Sequence, residues 1–244
     1  MLKVTRYLQD PSCCAIAACA TVANFYNKSL NYEKTKEITL LKIFKKPSDI
    51  ENGLDSGQIC LLLNYLGFDK VTLVSTNLHY LDYSWAKLKR NKLLKELKEF
   101  IKRNRKKDYI DDCNSIYKWL KKEDYDNNII IDYNFGERIR GYLDDNKPIV
   151  ITFNWTMFFK RAKYKYEDID PIKGEYEEHA VVVYGYDEKG VFVCDSHYSY
   201  YKYDLAKYRN GFYQIEWEKL MTIMGLGDVY IPEKYFLNNG NTSK

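Results

Sequence analysis

Four residues in this chain have the side chains and the chain order that nucleophilic catalysis by a cysteine requires, namely Gln9, Cys14, His179 and Asp195. Cys14 begins an alanine-rich stretch that predicts a helix over residues 14–27. A helix N-terminus lowers the pKa of a thiol and presents free N–H groups, so Cys14 is the candidate nucleophile. Gln9 lies five residues upstream and is suited to donate its amide to an oxyanion. The alternative is that the nearby cysteines are merely small buried residues: Cys13, Cys14 and Cys19.

A general base must come from elsewhere in the chain, which has three histidines: His79, His179 and His197. His179 directly precedes an apolar run, residues 180–186, that predicts a strand. A histidine at the mouth of a strand is well placed to face a cleft, although it also occurs there as a simple strand cap. His179 is therefore the candidate base.

Asp195 ends the predicted return strand, residues 191–194, and would orient the imidazole of His179. Its alternative role is to start the following turn. A plain turn over residues 187–190 would place Asp195 opposite Val182, on the wrong face of the hairpin. We therefore predict a β-bulge near Gly185 or Gly190.

The remaining pattern predicts an α+β fold, with an N-terminal helical half packed against a C-terminal antiparallel β-sheet and the catalytic cleft between them. Helices are predicted at residues 14–27, 34–45, 57–66, 85–107, 115–122, 135–144 and 216–224. Strands are predicted at residues 69–76, 149–153, 180–186, 191–194 and 229–231, with an extension of the sheet at 198–203. We expect one domain over residues 1–244, with a helical basic insertion at about 78–136.

Composition excludes several classes of protein. With 45% apolar residues, 30% charged residues and a net charge of +4, the chain suits a globular fold and does not of itself indicate nucleic-acid binding. No apolar run reaches the roughly 18 residues of a membrane span, and residues 1–10 are too short and polar for a signal peptide. Six cysteines are too sparse for a disulfide scaffold, so we expect a cytoplasmic protein at synthesis, with export by a non-classical route left open. Neither metal-ligand spacing nor a glycine-rich phosphate loop is present, so we expect no metal or cofactor.

Residues 85–107 are strongly basic, with 11 Lys and Arg against 2 Glu, and carry an apolar stripe at helical spacing. The ordinary interpretation is the solvated face of a helix packed on the core. The alternatives are docking to an acidic partner or to a membrane surface, whereas nucleic acid is the less favoured partner. We expect this basic helix to recruit a macromolecular substrate. Oligomeric state is left open.

At the candidate residues the chain resembles the papain-like superfamily, and more closely the bacteriocin-leader-processing (double-glycine) peptidase family with its free-standing relatives. That family reads Gln, then Cys-Gly-Pro-Ala-Ala, and a helix ending near Asn-Tyr-Tyr. Residues 14–18 (Cys-Ala-Ile-Ala-Ala) and 24–26 (Asn-Phe-Tyr) follow the same frame, which favours Cys14 over Cys13 as nucleophile.

The second family block reads His-Ala-Val-Val-Val, Gly-Tyr, a turn and a strand ending in Asp-Pro. Residues 179–186 (His-Ala-Val-Val-Val-Tyr-Gly-Tyr) and 191–195 (Val-Phe-Val-Cys-Asp) match it closely. The resemblance covers roughly residues 5–75 and 137–200. Departures from the pattern are Ala15, Ile16 and Ser196, which replace Gly, Pro and Pro.

This resemblance implies a peptidase or amidase that acts on a peptide or protein through a thioester. Cys14 would attack the carbonyl, His179 would take and return the proton, and Gln9 with the Cys14 N–H would stabilise the oxyanion. Two alternatives stay open: an acyltransferase on the same scaffold, which would use identical residues, and a non-catalytic binding module.

Overall fold

The computed structural model describes residues 1–165, 168–197, 210–225 and 227–235, which form an α+β fold as expected. The helices are α1 (Cys14–Tyr26), α2 (Tyr32–Lys42), α3 (Ser56–Tyr65), α4 (Arg90–Arg103), α5 (Lys107–Leu120), α6 (Phe135–Asp144), α7 (Trp155–Phe158) and α8 (Trp217–Ile223). The strands are β1 (Phe68–Ser75), β2 (Asn128–Ile131), β3 (Ile149–Asn154), β4 (Tyr164–Lys165), β5 (Asp168–Ile169), β6 (Glu178–Tyr186), β7 (Gly190–Cys194), β8 (Phe212–Glu216) and β9 (Asp228–Tyr235). Short 3₁₀ turns occupy Pro47–Asn52 and Tyr83–Trp85.

Local sequence signals explain the helices around the site. All residues of α1 from Ala15 to Asn24 are buried, because their small side chains let the helix pack closely against its neighbours. A capping box begins α3: Asp55 accepts from the Gln58 N–H at 2.8 Å, and Gln58 accepts from the Asp55 N–H at 3.0 Å. Gly67, with a φ of 107°, follows the end of this helix, as predicted.

Seven strands form the main sheet, in the order β2-β1-β9-β3-β6-β7-β8. The pairs are antiparallel except β1 with β2, which is parallel and was not predicted. Helices α4 and α5 separate β1 from β2 and provide the long crossover that parallel strands need. The sequence patterns also missed β2 and β8, which are the short edge strands.

Both faces of the sheet are covered. One buried cluster joins α1, α3 and α5 to Val150, Ala180 and Val182, on one face of the sheet. A second cluster joins α6, α7 and α8 to Val181, Val183 and other residues of the opposite face. Successive residues of β6 therefore alternate between two cores, and the fold places α1 directly against this strand.

The predicted single helix over residues 85–107 is wrong. Trp85 belongs to a separate 3₁₀ turn, and α4 ends before Asn104, whose backbone is extended (φ −73°, ψ 153°). A new helix, α5, begins at Lys107, earlier than the predicted helix at 115–122. The apolar stripe crosses this break without revealing it, because Leu93 and Leu97 of α4 are buried in the same core as α5.

Two further predictions concern an extension of the sheet and the absence of a membrane span. The predicted extension of the sheet at residues 198–203 lies outside the described residues. None of the helices within the described ranges has the length and apolarity that crossing a membrane requires.

Candidate active site

A tight turn sets the start of α1. The Cys13 N–H donates to the carbonyl of Asp10 at 3.1 Å, with Pro11 and Ser12 at the centre of the turn. Ser12 adopts a φ of 60°, the left-handed conformation that the third residue of a type II turn requires. Glycine or asparagine usually occupies this position. The turn delivers Cys14 as the first residue of α1, where helix N–H groups have no intrahelical acceptor.

The predicted bulge is present in the β6–β7 hairpin. The register shifts between Val183 and Gly185, so that Cys194 pairs with Val182. Asp195, the next residue, is thereby moved to the face of β6 that carries His179. The His179 Nε2 lies 2.8 Å from Asp195 Oδ1, and both side chains are buried.

Asp195 is held from several sides. The Tyr213 hydroxyl donates to Oδ2 at 2.7 Å, and the His197 N–H donates to Oδ1 at 2.8 Å. Burial alone would raise the pKa of this carboxyl, but the charge and hydrogen bond of His179 and these two donors lower it to about 2. Asp195 therefore remains ionised beside the imidazole throughout the physiological range.

The N-terminal segment supports the same loop through Arg6. Its Nε donates to the Asp195 carbonyl at 2.6 Å, and a terminal guanidinium nitrogen donates to the His197 carbonyl at 2.8 Å. Gly211, with a φ of 72°, makes this approach possible, since a Cβ there would lie 2.0 Å from the Arg6 Nε.

Cys14 and His179 form a hydrogen-bonded pair. The Nε2 of His179 is committed to Asp195, which leaves Nδ1 to face the thiol. Burial alone would raise the pKa of Cys14, yet the hydrogen bond and charge of His179 and the N–H groups of Ala180 and Ala15 lower it. Burial likewise opposes a charged imidazole, but the charge of Asp195, its hydrogen bond and the pairing with Cys14 raise the pKa of His179 to about 10. The pair therefore favours a thiolate and an imidazolium.

The other cysteines have the opposite character. Burial raises the pKa of Cys113 and of Cys194 to about 12, and it also raises the pKa of Cys13, Cys19 and Cys60. Cys14 alone has a lowered pKa among the six thiols, all of which are free and lie in the described part of the chain.

Gln9 is anchored next to the Asp195 loop. Its N–H donates to the Ser196 carbonyl at 3.0 Å, and its side-chain oxygen accepts from the Ser196 hydroxyl at 2.8 Å. The amide NH₂ is therefore the end of Gln9 that is left to donate. The structure thus brings Cys14, His179 and Asp195 together and holds Gln9 to the residue that follows Asp195.

Comparison with known proteins identifies the family to which this chain belongs. The model of the Peptidase_C39 like family, a family of the papain-like cysteine peptidase clan, matches residues 61–222, more than half of the chain. This chain belongs to the Peptidase_C39 like family. The matched range includes His179 and Asp195 and begins after Cys14. Neither curated proteins nor solved structures give a match.

Membership in the Peptidase_C39 like family confirms the papain-like resemblance and supports a cysteine-peptidase type of function in general. The order of α1, which carries the thiol, and the β6–β7 hairpin, which carries His179 and Asp195, agrees with that membership.

Sequence reasoning missed Trp155, which covers the histidine. The ring centroids of Trp155 and His179 lie 4.0 Å apart, and Trp155 is 4% exposed. This indole shields the His179–Asp195 pair from water and so strengthens its electrostatic interaction. The predicted strand 149–153 lies just before Trp155, but only the structure shows that Phe153 pairs with His179 and so brings the indole to the imidazole.

A cavity of about 810 Å³ opens beside Cys14 and His179. Its walls come from α1, α3, α5, β6 and the start of β9. A separate cavity of about 940 Å³ lies between α2, α3 and α5 and is lined by several lysines, among them Lys42, Lys118 and Lys121. The cavity that includes the thiol is the candidate substrate cleft.

Proposed function

We propose that this member of the Peptidase_C39 like family is a cysteine peptidase that hydrolyses a peptide or amide bond through a thioester. Cys14 is the nucleophile, His179 the acid and base, Asp195 the residue that orients His179, and Gln9 an oxyanion donor. The observation that carries this proposal is the buried 2.8 Å contact between His179 Nε2 and Asp195 Oδ1, which leaves Nδ1 to face the Cys14 thiol. The lowered pKa of Cys14 and the raised pKa of His179 agree with this arrangement.

The first half of the reaction forms the thioester. The Cys14 thiolate attacks the carbonyl carbon, and the resulting oxyanion accepts hydrogen bonds from the Cys14 N–H and the Gln9 amide. The tetrahedral intermediate then collapses and breaks the C–N bond. The His179 Nδ1–H protonates the departing amine, which leaves an acyl group on sulfur and a neutral imidazole.

The second half releases the acid. Water gives a proton to His179 Nδ1 as its oxygen attacks the thioester carbonyl, and collapse of this intermediate expels the Cys14 thiolate. The carboxylic acid product departs, and the thiolate–imidazolium pair is restored. Asp195 stays ionised and holds the ring so that Nδ1 faces the thiol in both halves.

A test of this proposal follows alkylation of Cys14 by iodoacetamide as a function of pH, with the modified residue mapped by mass spectrometry. A thiolate paired with His179 should react at pH 6 nearly as fast as at pH 8, whereas an ordinary thiol slows about tenfold for each pH unit below its pKa of roughly 8.5. His179→Ala should restore the ordinary pH profile, and Asn24→Ala, at the other end of α1, serves as a control for changes in packing.

Peptide cleavage then separates the alternatives. If Cys14 shows the ordinary thiol profile in the wild-type protein, the catalytic proposal fails and a binding module becomes the better explanation. If Cys14 is activated but an added amine accelerates turnover and captures the acyl group in preference to water, the protein is an acyltransferase. Release of free acid at a rate that is independent of added amine supports the hydrolase.

A further inference from the structure

The cleft beside Cys14 is strongly acidic, although the protein as a whole carries a net charge of +4. Three carboxylates face it from different elements: Asp112 of α5, Glu178 of β6 and Asp228 of β9. Further carboxylates, Asp108, Glu175 and Glu177, also line it. The described lining has one lysine, Lys163, and no arginine. Negative charge is thus concentrated next to the candidate nucleophile.

Asp228 is the deepest of these carboxylates, with an exposed fraction of 2%. Its Oδ2 accepts from the Ser56 hydroxyl at 2.6 Å, from the Tyr80 hydroxyl at 2.7 Å and from the Tyr230 hydroxyl at 3.3 Å. The Ser75 hydroxyl also interacts with this carboxyl group and lowers its pKa. The buried Oδ1 has no hydrogen-bond partner of normal geometry in the described part of the chain. Burial raises the pKa of Asp228, and hydrogen bonds from the hydroxyls around it oppose that rise. A buried carboxyl group that is held by neutral hydroxyls and keeps one oxygen unpartnered is unusual, because such groups normally satisfy both oxygens.

The neighbouring carboxylates repel one another. Burial, followed by the charges of Asp228 and Asp112, raises the pKa of Glu178 to about 7. Burial and the charges of Asp55, Asp228 and two further aspartates raise the pKa of Asp112 to about 7 as well. The side chain of Glu178 is exposed to water and is also surrounded by the walls of the cleft. It therefore lies at the surface of a concave acidic site. A cation in the cleft would relieve this repulsion.

A structural role explains only part of this arrangement. The Ser56 and Tyr230 hydroxyls lie 3.0 Å apart and connect Asp228, at the start of β9, to the first turn of α3. These contacts explain why Oδ2 can be buried. They do not account for the unpartnered Oδ1, nor for the two carboxylates at the cleft surface. None of the three belongs to the Cys14–His179–Asp195 group.

The shape and lining favour an organic cation. No group of histidine, cysteine and acidic side chains within the described ranges is arranged to hold a metal ion. Aromatic rings stand among the carboxylates: Tyr80, Tyr109 and Tyr176 line the same cleft, and Tyr109 stacks on His79 at 4.4 Å. Such rings pack against the apolar stem of a long side chain and attract its charged end.

We propose that the cleft is a specificity subsite in which Asp228, Glu178 and Asp112 bind the lysine or arginine side chain of a peptide substrate, close to the bond that Cys14 attacks. This inference rests on the proposed peptidase function and adds the substrate class. The buried carboxylate and its two neighbours supply the charge, while the tyrosines hold the stem of the side chain.

The test uses N-acetylated peptidyl acyloxymethyl ketones that alkylate Cys14 and carry either lysine or norleucine at one of the two positions before the reactive carbonyl. The wild-type protein should react at least about tenfold faster with one of the lysine reagents than with its norleucine match. Asp228→Asn should bring that ratio close to unity. Glu178→Gln, at a solvent-reached position, should reduce it about threefold. Glu188→Gln, an exposed carboxylate on the β6–β7 turn, is the matched control and should leave the ratio unchanged.

The ratio cancels any general loss of reactivity, and the double variant Glu178→Gln/Asp112→Asn carries the test if Asp228→Asn fails to fold. Equal rates with lysine and norleucine in the wild-type protein would overturn the subsite and leave the peptidase proposal intact. If a norleucine reagent with a free α-amine reacts as fast as the acetylated lysine reagent, the carboxylates bind an N-terminus and the side-chain proposal is wrong.

A Cys14 that reacts with none of the reagents would overturn the peptidase proposal, and binding would then decide the subsite on its own. Calorimetry with acetylated lysine and norleucine peptides should show tighter binding of the lysine peptide, and Asp228→Asn should abolish the difference. Equal binding of the two peptides would overturn the subsite.

Discussion

Val182 pairs with Cys194 across the β6–β7 hairpin, one residue away from the register that an uninterrupted hairpin would give. In the uninterrupted register Val182 would face Asp195 instead, and the carboxylate would lie on the opposite side of the sheet from His179. Because Tyr184 is left out of the pairing, Asp195 lies on the same face as His179 and the imidazole has an anionic partner.

Deletion of Tyr184 should remove the bulge and still leave Asp195 beside His179, because Gly185 can keep its pairing with Phe192 and Val183 its pairing with Val193. We therefore expect kcat/KM to stay close to the wild-type value. Alkylation of Cys14 at pH 6 should also proceed at nearly the wild-type rate. Both can be measured on protein whose far-UV circular dichroism matches that of the wild type.

Tyr184→Ala is the matched control for this deletion, since it removes the side chain and keeps the residue count of the strand. It should retain most of the activity. A large loss of activity in a folded deletion variant, with Tyr184→Ala still active, would show that the bulge itself, and not the pairing that follows it, holds Asp195 beside His179.

Tyr213→Phe should separate the support of Asp195 from the rest of the site. The lost hydroxyl donates to a buried, ionised carboxylate, so we expect the free energy of unfolding to fall by roughly 1.5–3 kcal/mol at neutral pH. The pKa of Asp195 is lowered from its ordinary value of 3.8 to about 2 in the folded protein. The ionised carboxylate therefore stabilises the fold at pH values above 3.8, and this stabilisation is lost as the pH falls through 2. The difference between wild type and variant should therefore shrink towards pH 2 in urea titrations.

Tyr186→Phe removes a comparable hydroxyl, whose 2.7 Å hydrogen bond to Asp144 is exposed. It should leave the free energy of unfolding almost unchanged, because the hydrogen bond is exposed to water. A loss as large as that of Tyr213→Phe, or a loss in Tyr213→Phe that is independent of pH, would contradict the role assigned to Tyr213.

Local sequence patterns were sufficient to predict elements whose backbone is controlled by a few neighbouring residues. The alanine run and the turn before it predicted α1, and the strand-turn-strand pattern predicted the β6–β7 hairpin, whose bulge was inferred separately from the role assigned to Asp195. Capping signals were equally reliable, as at Gly67 after α3. In each case the controlling residues lie within a few positions of one another, so no knowledge of tertiary contacts is needed.

Contacts between distant parts of the chain were not predictable in this way. Tyr213 reaches Asp195 only because β8 pairs with β7, and β8 is a short edge strand with a weak pattern. Asp228 reaches the cleft only because β9 lies between β1 and β3 in the sheet, two strands that are far from β9 in the sequence. The break at Asn104 was hidden because hydrophobic spacing continues on both sides of it.

The cationic face of α4 and the turn after it should recruit a macromolecular substrate. Its lysines and arginines are exposed, apart from Arg90, which donates to backbone carbonyls at and after the end of α5. The apolar stripe, including Leu93 and Leu97, packs on the core and is not free to enter a membrane. Charge attraction therefore remains as the means of contact. We expect weaker turnover of a protein substrate, and unchanged turnover of a short peptide, when four exposed residues are neutralised: Lys102, Arg103, Arg105 and Lys106.

A control variant neutralises four exposed lysines on other faces, and it should affect neither substrate: Lys3, Lys34, Lys42 and Lys189. The loss on the protein substrate should also diminish as salt is raised, since screening shortens the range of surface charges to about 8 Å at physiological ionic strength. Equal losses on both substrates would contradict a recruiting role.

The acidic cleft should make lysine preference depend on pH. Glu178 and Asp112 have pKa values raised to about 7, so both gain charge between pH 6 and pH 8, and a bound cation favours their ionised forms. The rate ratio of the lysine reagent to the norleucine reagent should therefore rise over this interval. Because both reagents use the same thiol, the titration of Cys14 and His179 cancels in the ratio.

The groups that face these two carboxylates set the size of the effect. Asp228 of β9 and Asp55 at the start of α3 add negative charge as they ionise, and burial raises the pKa of both. Asp108 of α5, Glu175 and Lys163 also line the cleft. Glu178→Gln should flatten the rise, because one of the two groups that titrate near pH 7 is gone, and it should also lower the pKa of Asp112. Glu188→Gln should leave the rise unchanged. A ratio that is constant from pH 6 to pH 8 in the wild-type protein, despite a strong preference for lysine, would mean that Asp228 binds the cation without these neighbours.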